Sequence, residues 1–221
     1  YLHSLLSRNT PLEYFIEGGR SRTGLLLPPK KGMLSMTVQS HLRGVTKPIA
    51  FIPTYFGYEK LIEGTSYLNE LNGKPKEAES IWGILSSARK IEKIFGQVHV
   101  NFGEPVLVDQ FIKRHQLDQY RISRNDEPLP PAGTKVVAEL AEQVMKNINR
   151  AAVINPVSLL SLVLLSTPKH ALDEDVCVKQ IDTYRALVQA APYDERIQDT
   201  GMSGRDVIAY GLKLKLIKRV N

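Results

Sequence analysis

Apolar residues are spaced in two different ways along this chain, and the change comes near residue 124. Before it, "EYFIEG" (13–18) and "KPIAFIPTYFGYE" (47–59) hold short, nearly unbroken apolar runs bounded by turn formers. Such runs predict strands buried on both faces. "QVHVNFGEPV" (97–106) alternates instead, so that Val98, Val100 and Phe102 share one face and Gly103 with Pro105 ends the strand. The segments between have a helical period. In "KGMLSMTVQSHLRG", Leu34, Val38 and Leu42 recur on one face and Gly44 marks the stop. Ile81, Ile84, Leu85, Ala88, Ile91, Ile94 and Phe95 line a second helix, with Lys and Arg opposite. Strand, helix, strand, helix, strand over about 100 residues predicts an α/β layer with crossover helices.

From residue 124 the pattern is helical with hardly a strand. "RNDEPLPPAG" (124–133) is polar and proline-rich, and reads as a hinge between residues 1–123 and a mainly helical domain over 134–221. Thr134 is the expected cap of a helix striped by Val137, Leu140, Val144 and Ile148. Asn155 and Pro156 open another helix, "PVSLLSLVLLS", and residues 173–190 form a third. Residues 151–168 carry no charge. The prolines that bound this stretch leave about 11 helical residues, roughly 16 Å against a hydrocarbon core of about 30 Å. A buried helix is therefore expected there, not a membrane span.

Composition adds two constraints. With 221 residues, 43% hydrophobic and 24% charged, the chain lies in the globular range, which excludes wholesale disorder. The net charge of +6 is unevenly placed, because residues 1–50 hold Arg8, Arg20, Arg22, Lys30, Lys31, Arg43 and Lys47 against only Glu13 and Glu17. That end attracts anions. A single cysteine, Cys177, excludes a disulfide framework and fits a small buried residue between valines in a reducing compartment. The chain opens on Tyr1 without a signal-peptide pattern and closes on "LKLKLIKRVN" without a cap, so a piece of a longer protein is expected.

The charge concentrates in "YFIEGGRSRTG" (14–24), which admits a phosphate site, a structural salt bridge or a nucleic-acid patch. Gly18 and Gly19 let the backbone pass close to a ligand at the end of the predicted strand. Gly19 to Gly24 nearly meets the phosphate-loop pattern GxxxxGK[ST], but Leu25 and Leu26 stand where its lysine and hydroxyl belong, and nucleotide binding through that motif is rejected. Arg20 and Arg22 offer planar forks for phosphate oxygens, worth about 1.5–3 kcal/mol each when shielded from water. Glu17 would repel a phosphate beside it, so it either orients an arginine or accepts from a substrate hydroxyl.

"FIEGGRSRTG", "PPKKGMLSM", "IPTYFGYEK" and "VNFGEPV" together resemble the glycerol-3-phosphate acyltransferase family, nearest to its long, membrane-associated bacterial branch. The family's third block has the form F-x-E-G-x-R-S-R, and Phe15, Glu17, Gly18, Arg20, Ser21 and Arg22 fill each specified place. Ile52 and Pro53 resemble the proline-centred fourth block. The resemblance implies that residues 1–123 are the latter half of an acyltransferase α/β domain. It implies transfer of a fatty acyl group from acyl carrier protein or coenzyme A to the first hydroxyl of glycerol 3-phosphate, in phospholipid synthesis. Glu17, Gly18, Arg20, Ser21 and Arg22 become substrate-binding residues and Pro53 shapes the acyl-donor side. Also implied are no metal, no bound cofactor beyond the thioester substrate, no nucleic-acid partner, and a peripheral place on the anionic cytoplasmic face of the bacterial membrane.

The family's base is a histidine held by an aspartate, H-x-x-x-x-D, in a block that precedes the third. The expected His and Asp therefore lie upstream of Tyr1, and the fragment alone is expected to be inactive. His170 and Asp175 meet the spacing but follow the third block. Asp173, Glu174 and Asp175 are better placed in the first turn of a helix. His99 reads as packed or solvent-facing, and His3, His41 and His115 show no partner pattern. Two rivals remain: a non-catalytic basic module that meets membrane or partner, and an acyltransferase with lysophosphatidic acid or another acceptor.

Overall fold

The computed structural model describes residues 1–19, 21, 24–60, 96–124 and 127–220. In chain order its elements are α1 (Leu2–Ser7), α2 (Gly32–Leu42), β1 (Ala50–Phe51), β2 (Thr54–Tyr58), β3 (Val98–Phe102), β4 (Val106–Leu107), α3 (Val108–Arg114), α4 (Pro131–Arg150), β5 (Val153–Ile154), α5 (Pro156–Leu165), a 3-10 turn (Pro168–His170), α6 (Glu174–Ala190), β6 (Gln198–Asp199) and α7 (Gly204–Lys213). Small two-stranded sheets packed with helices give way to a mainly helical region, an α/β arrangement as the patterning predicts. The chain divides into two compact units, Tyr1–Thr54 with Phe102–Asn149, and Tyr55–Asn101 with Arg150–Asn221.

In the first unit the stripe on α2 decides the packing. Leu34, Val38 and Leu42 are fully buried against Val136 and Leu140 of α4 and Val108, Phe111 and Ile112 of α3. Gly44, at φ 100°, takes the left-handed backbone that ends α2. β1 and β4 pair antiparallel, Ala50 opposite Leu107 and Phe51 opposite Val106. One joint is especially close: the Gly103 N–H donates to Pro53 O at 2.7 Å, and a Cβ on Gly103 would lie 2.5 Å from the Asn147 carbonyl oxygen. The Asn147 amide in turn donates to Glu104 O at 2.8 Å. α4 starts at Pro131 and not after a Thr134 cap. Proline's preset φ suits the first helical position, where its missing N–H is no loss, and the Thr134 N–H already donates to Pro130 O within the first turn.

Three strand expectations need correction. "EYFIEG" forms no strand: residues 11–15 lack regular structure and a turn begins at Ile16. A strand needs a neighbour for its N–H and C=O groups, and among the described residues none pairs there. Its apolar side chains find the core otherwise, Ile16 buried and Tyr14 edge-on to Phe51 with centroids 6.4 Å apart. "KPIAFIPTYFGYE" splits into β1 and β2 around Ile52 and Pro53, because proline cannot donate to a ladder. β2 is not buried on both faces, since Phe56 and Tyr58 are exposed and Gly57 is buried.

β3 alternates as expected, but with the apolar face outward: Val98, Val100 and Phe102 are exposed, while Asn101 is buried. The polar face turns inward because its partners are there. The Asn101 amide donates to Ala151 O and Arg196 O, both at 3.0 Å. The helix expected over 81–95 lies outside the described residues.

In the second unit α5, α6 and α7 pack around Leu159, Leu160, Val163, Cys177, Ile181, Val207 and Ile208. Their starts are capped by side chains: Asn155 accepts the Ser158 N–H, Asp173 those of Asp175 and Val176, and Ser203 that of Asp206. The uncharged stretch becomes the ten-residue α5. No described helix is long and apolar enough to cross a membrane. β5 and β6 pair in parallel, Val153 opposite Gln198, and the Arg185 guanidinium bonds Asp199 at 2.6 Å beside that pair.

Candidate functional site

The motif at 14–24 hangs from the first core by Ile16. A turn follows at once, with the Gly18 N–H donating to Phe15 O at 3.0 Å and Gly18 at φ 63°. Beyond it, two hydrogen bonds draw the chain back together. Glu17 Oε2 accepts the Leu27 N–H at 2.6 Å, and the Lys30 N–H donates to Ile16 O at 2.7 Å. The loop between Glu17 and Leu27 is thus tied at its neck.

That loop carries Arg20, Ser21 and Arg22. Arg20 and Arg22 themselves lie outside the described residues. The Ser21 hydroxyl is sealed from solvent and has no hydrogen-bond partner among the described residues. Glu17 uses one carboxylate oxygen on a backbone amide, a structural role that neither expectation for it contained. The close approach expected at Gly18 is made by the chain's own Lys30, whose Cγ lies 2.7 Å from where a Cβ would sit. At Gly19 no described residue comes within 4 Å of the same position. α2 begins two residues after Lys30, with Lys31 at its N-cap, whose side chain makes no capping hydrogen bond. A helix start carries partial positive charge, and the bond from the Lys30 N–H to Ile16 O brings the chain just before α2 back to the foot of the loop. Burial pushes the Tyr14 phenol up to about 12, so this neighbour brings no negative charge at neutral pH.

Pro53 is fully buried, and its carbonyl holds the Gly103 N–H. Ile52, next to it, is exposed. His170 and Asp175 face different partners: the His170 ring meets Leu164 O at 3.3 Å and Asp175 lies 3.8 Å from Arg205. Asp173 and its acidic neighbours serve the start of α6. The remaining paired histidines meet carboxylates, His115 with Glu139 at 2.9 Å and His41 with Asp109 at 3.4 Å. Burial holds His41 below the usual imidazole range even though Asp109 pulls the other way.

One cluster escaped the motif reading altogether. The Glu59 carboxylate is buried and meets the His99 ring at 3.0 Å, the Gln97 N–H at 2.7 Å and the Tyr210 hydroxyl. Burial first, and then Glu59, push the Tyr210 phenol far up. Glu59 and Tyr210 are 151 positions apart, so no local pattern links them. Lys30 escaped too, because its place over Gly18 depends on a backbone turn and not on spacing.

A family model described as the glycerol-3-phosphate acyltransferase C-terminal region matches residues 67–221. The chain belongs to the glycerol-3-phosphate acyltransferase family. A second model, described as acyltransferase, matches residues 1–57 and so contains the whole tied loop. A protein of Xanthomonas campestris pv. campestris named glycerol-3-phosphate acyltransferase is 44% identical over 222 residues, covering 100% of this chain and 25% of its own length. Proteins of the same name from Pseudomonas aeruginosa PAO1 and Xylella fastidiosa Temecula1 are each 43% identical, over 98% and 100% of this chain and 26% of their own length. The chain therefore spans about a quarter of the glycerol-3-phosphate acyltransferases it matches.

Proposed function

We propose that this chain is the phosphate-holding portion of an O-acyltransferase that acylates the first hydroxyl of glycerol 3-phosphate. The observation that carries the reading is the neck tied between Glu17 and Leu27, since Arg20, Ser21 and Arg22 fall in the chain between its two ends and the start of α2 follows a few residues after it. Arginine forks match phosphate oxygens in pairs, and the Ser21 hydroxyl, which has no partner among the described residues, can donate to a third oxygen. Gripping the phosphate turns a dilute hydroxyl into a positioned one, which lowers the barrier by supplying orientation before the reaction.

The hydroxyl oxygen attacks the thioester carbonyl, the thiol of acyl carrier protein or coenzyme A leaves, and the products are lysophosphatidic acid and free thiol. A base must take the hydroxyl proton. On this reading the base is a histidine held by an aspartate in a segment before Tyr1, and these 221 residues do not turn over alone. The thioester brings the activated acyl group, so the reading calls for no metal or resident cofactor, and Glu17, Gly18, Arg20, Ser21 and Arg22 together offer a single carboxylate and no histidine or cysteine. The basic end favours the anionic face of the bacterial cytoplasmic membrane as the place of work.

In the full-length enzyme, Arg20→Ala and Arg22→Ala are each expected to raise the KM for glycerol 3-phosphate at least tenfold, or abolish turnover, with an unchanged thermal midpoint. Normal use of glycerol 3-phosphate by both variants would sink the phosphate-site reading. Competition between glycerol 3-phosphate and lysophosphatidic acid in the same assay identifies the acceptor.

A further inference from the structure

Lys30 meets the tied loop in a way that its neighbours do not. Its backbone N–H is fixed to Ile16 O at 2.7 Å, which sets where the side chain starts. Its stem then lies across Gly18: a Cβ there would be 2.7 Å from Lys30 Cγ, 3.5 Å from Cβ and 3.8 Å from Cδ. A lysine stem laid along the backbone leaves its charged head free to reach water or an anion. Lys30 is exposed, and among the described residues no carboxylate comes within ion-pair distance of it. Glu17, the nearest acid in sequence, has an oxygen engaged by the Leu27 amide at 2.6 Å.

We propose that Lys30 is a further phosphate-binding residue, a third cation placed at the loop by its stem's passage over Gly18, acting with Arg20 and Arg22. The inference rests on the reading of those arginines as phosphate contacts. It also gives Gly18 a double reason to be glycine: its left-handed backbone, and the space that Lys30 needs. Lys31, one position on, caps α2 and makes no such contact with the turn.

The test uses the full-length enzyme with Lys30→Met, which keeps most of the stem and removes the charge, Lys30→Arg, Lys31→Met and Arg20→Ala. Lys30→Met should raise the KM for glycerol 3-phosphate about tenfold and weaken inhibition by inorganic phosphate in parallel, leaving kcat and the acyl-donor KM within about twofold. Lys30→Arg should hold the KM within about threefold, and Lys31→Met within about twofold. An unchanged KM in Lys30→Met beside a raised one in Arg20→Ala overturns the Lys30 assignment and leaves the arginine site standing. A fall in kcat alone, or an equal rise in Lys31→Met, also overturns it, by exposing a structural or diffuse electrostatic role. If Lys30→Met and Arg20→Ala both bind glycerol 3-phosphate and inorganic phosphate normally, the phosphate-site reading falls, and the Lys30 inference with it.

Discussion

Glu17→Ala separates a residue that ties the loop from one that touches substrate. The Glu17 carboxylate accepts the Leu27 N–H at 2.6 Å, a short charge-assisted bond, and such bonds contribute about 1.5–3 kcal/mol. Glu17 is half-buried, so solvent screening argues for the lower end, about 1.5 kcal/mol. At about 1.4 kcal/mol per factor of ten, opening of the neck becomes about tenfold more frequent once the carboxylate is gone. The second tie, Lys30 N–H to Ile16 O, survives the substitution, so the neck is loosened and not lost, and global stability should fall by no more than the same amount, about 1.5 kcal/mol. Hydrogen exchange followed by mass spectrometry on the peptide holding Leu27 is the assay, because it reads local opening directly. Glu17→Ala should exchange there about tenfold faster and raise the KM for glycerol 3-phosphate, while Glu17→Gln, which keeps an acceptor oxygen, should lie much closer to wild type. Unchanged exchange in Glu17→Ala would refute the neck. A loss of kcat in both variants with protection intact would assign Glu17 to the substrate hydroxyl instead.

Two further outcomes are expected. Gly103→Ala should destabilise the protein by about 1–3 kcal/mol, because its Cβ would meet a backbone carbonyl 2.5 Å away that has no rotamer to give; a urea midpoint within error of wild type would show that the joint relaxes. Asp199 is pushed up by burial but pulled further down by Arg185, the Gly201 N–H and Gln189, and its carboxyl ends below the ordinary 3.8. Its contribution is complete above that value and is lost as pH falls through the lower folded one. Urea midpoints from pH 7 to 3 should therefore drop more steeply for wild type than for Asp199→Asn below about pH 4, and parallel curves would refute the linkage.

The helices were legible because their signals are local. Leu34, Val38 and Leu42 recur at one helical face, and Asn155 and Asp173 stand where a cap must be. The strands were less so. "EYFIEG" has the composition of a buried strand, yet composition cannot supply a partner, and Ile16 reaches the core from a turn. Alternation in 97–106 located β3 but not its inner face, which Asn101 settles through carbonyls of residues 151 and 196. The candidate site divides in the same way. Arg20, Ser21 and Arg22 stand out as a spaced set in one stretch of chain, whereas the approach of Lys30 to Gly18 depends on the left-handed turn there, which no spacing announces.

Glu59 also bears on the order in which this protein can be finished during synthesis. Every residue of the first unit lies before position 150, so a ribosome that has released that much chain has delivered all of it. Glu59 has to wait. Its His99 and Gln97 partners emerge early, but the Tyr210 hydroxyl arrives 151 residues after the carboxylate it joins. Until then a nascent chain carries an acid that it cannot yet sequester. The second unit is thus completed from its far end, and a premature stop between residues 150 and 210 would leave the first unit's sequence intact while denying the second its closing donor.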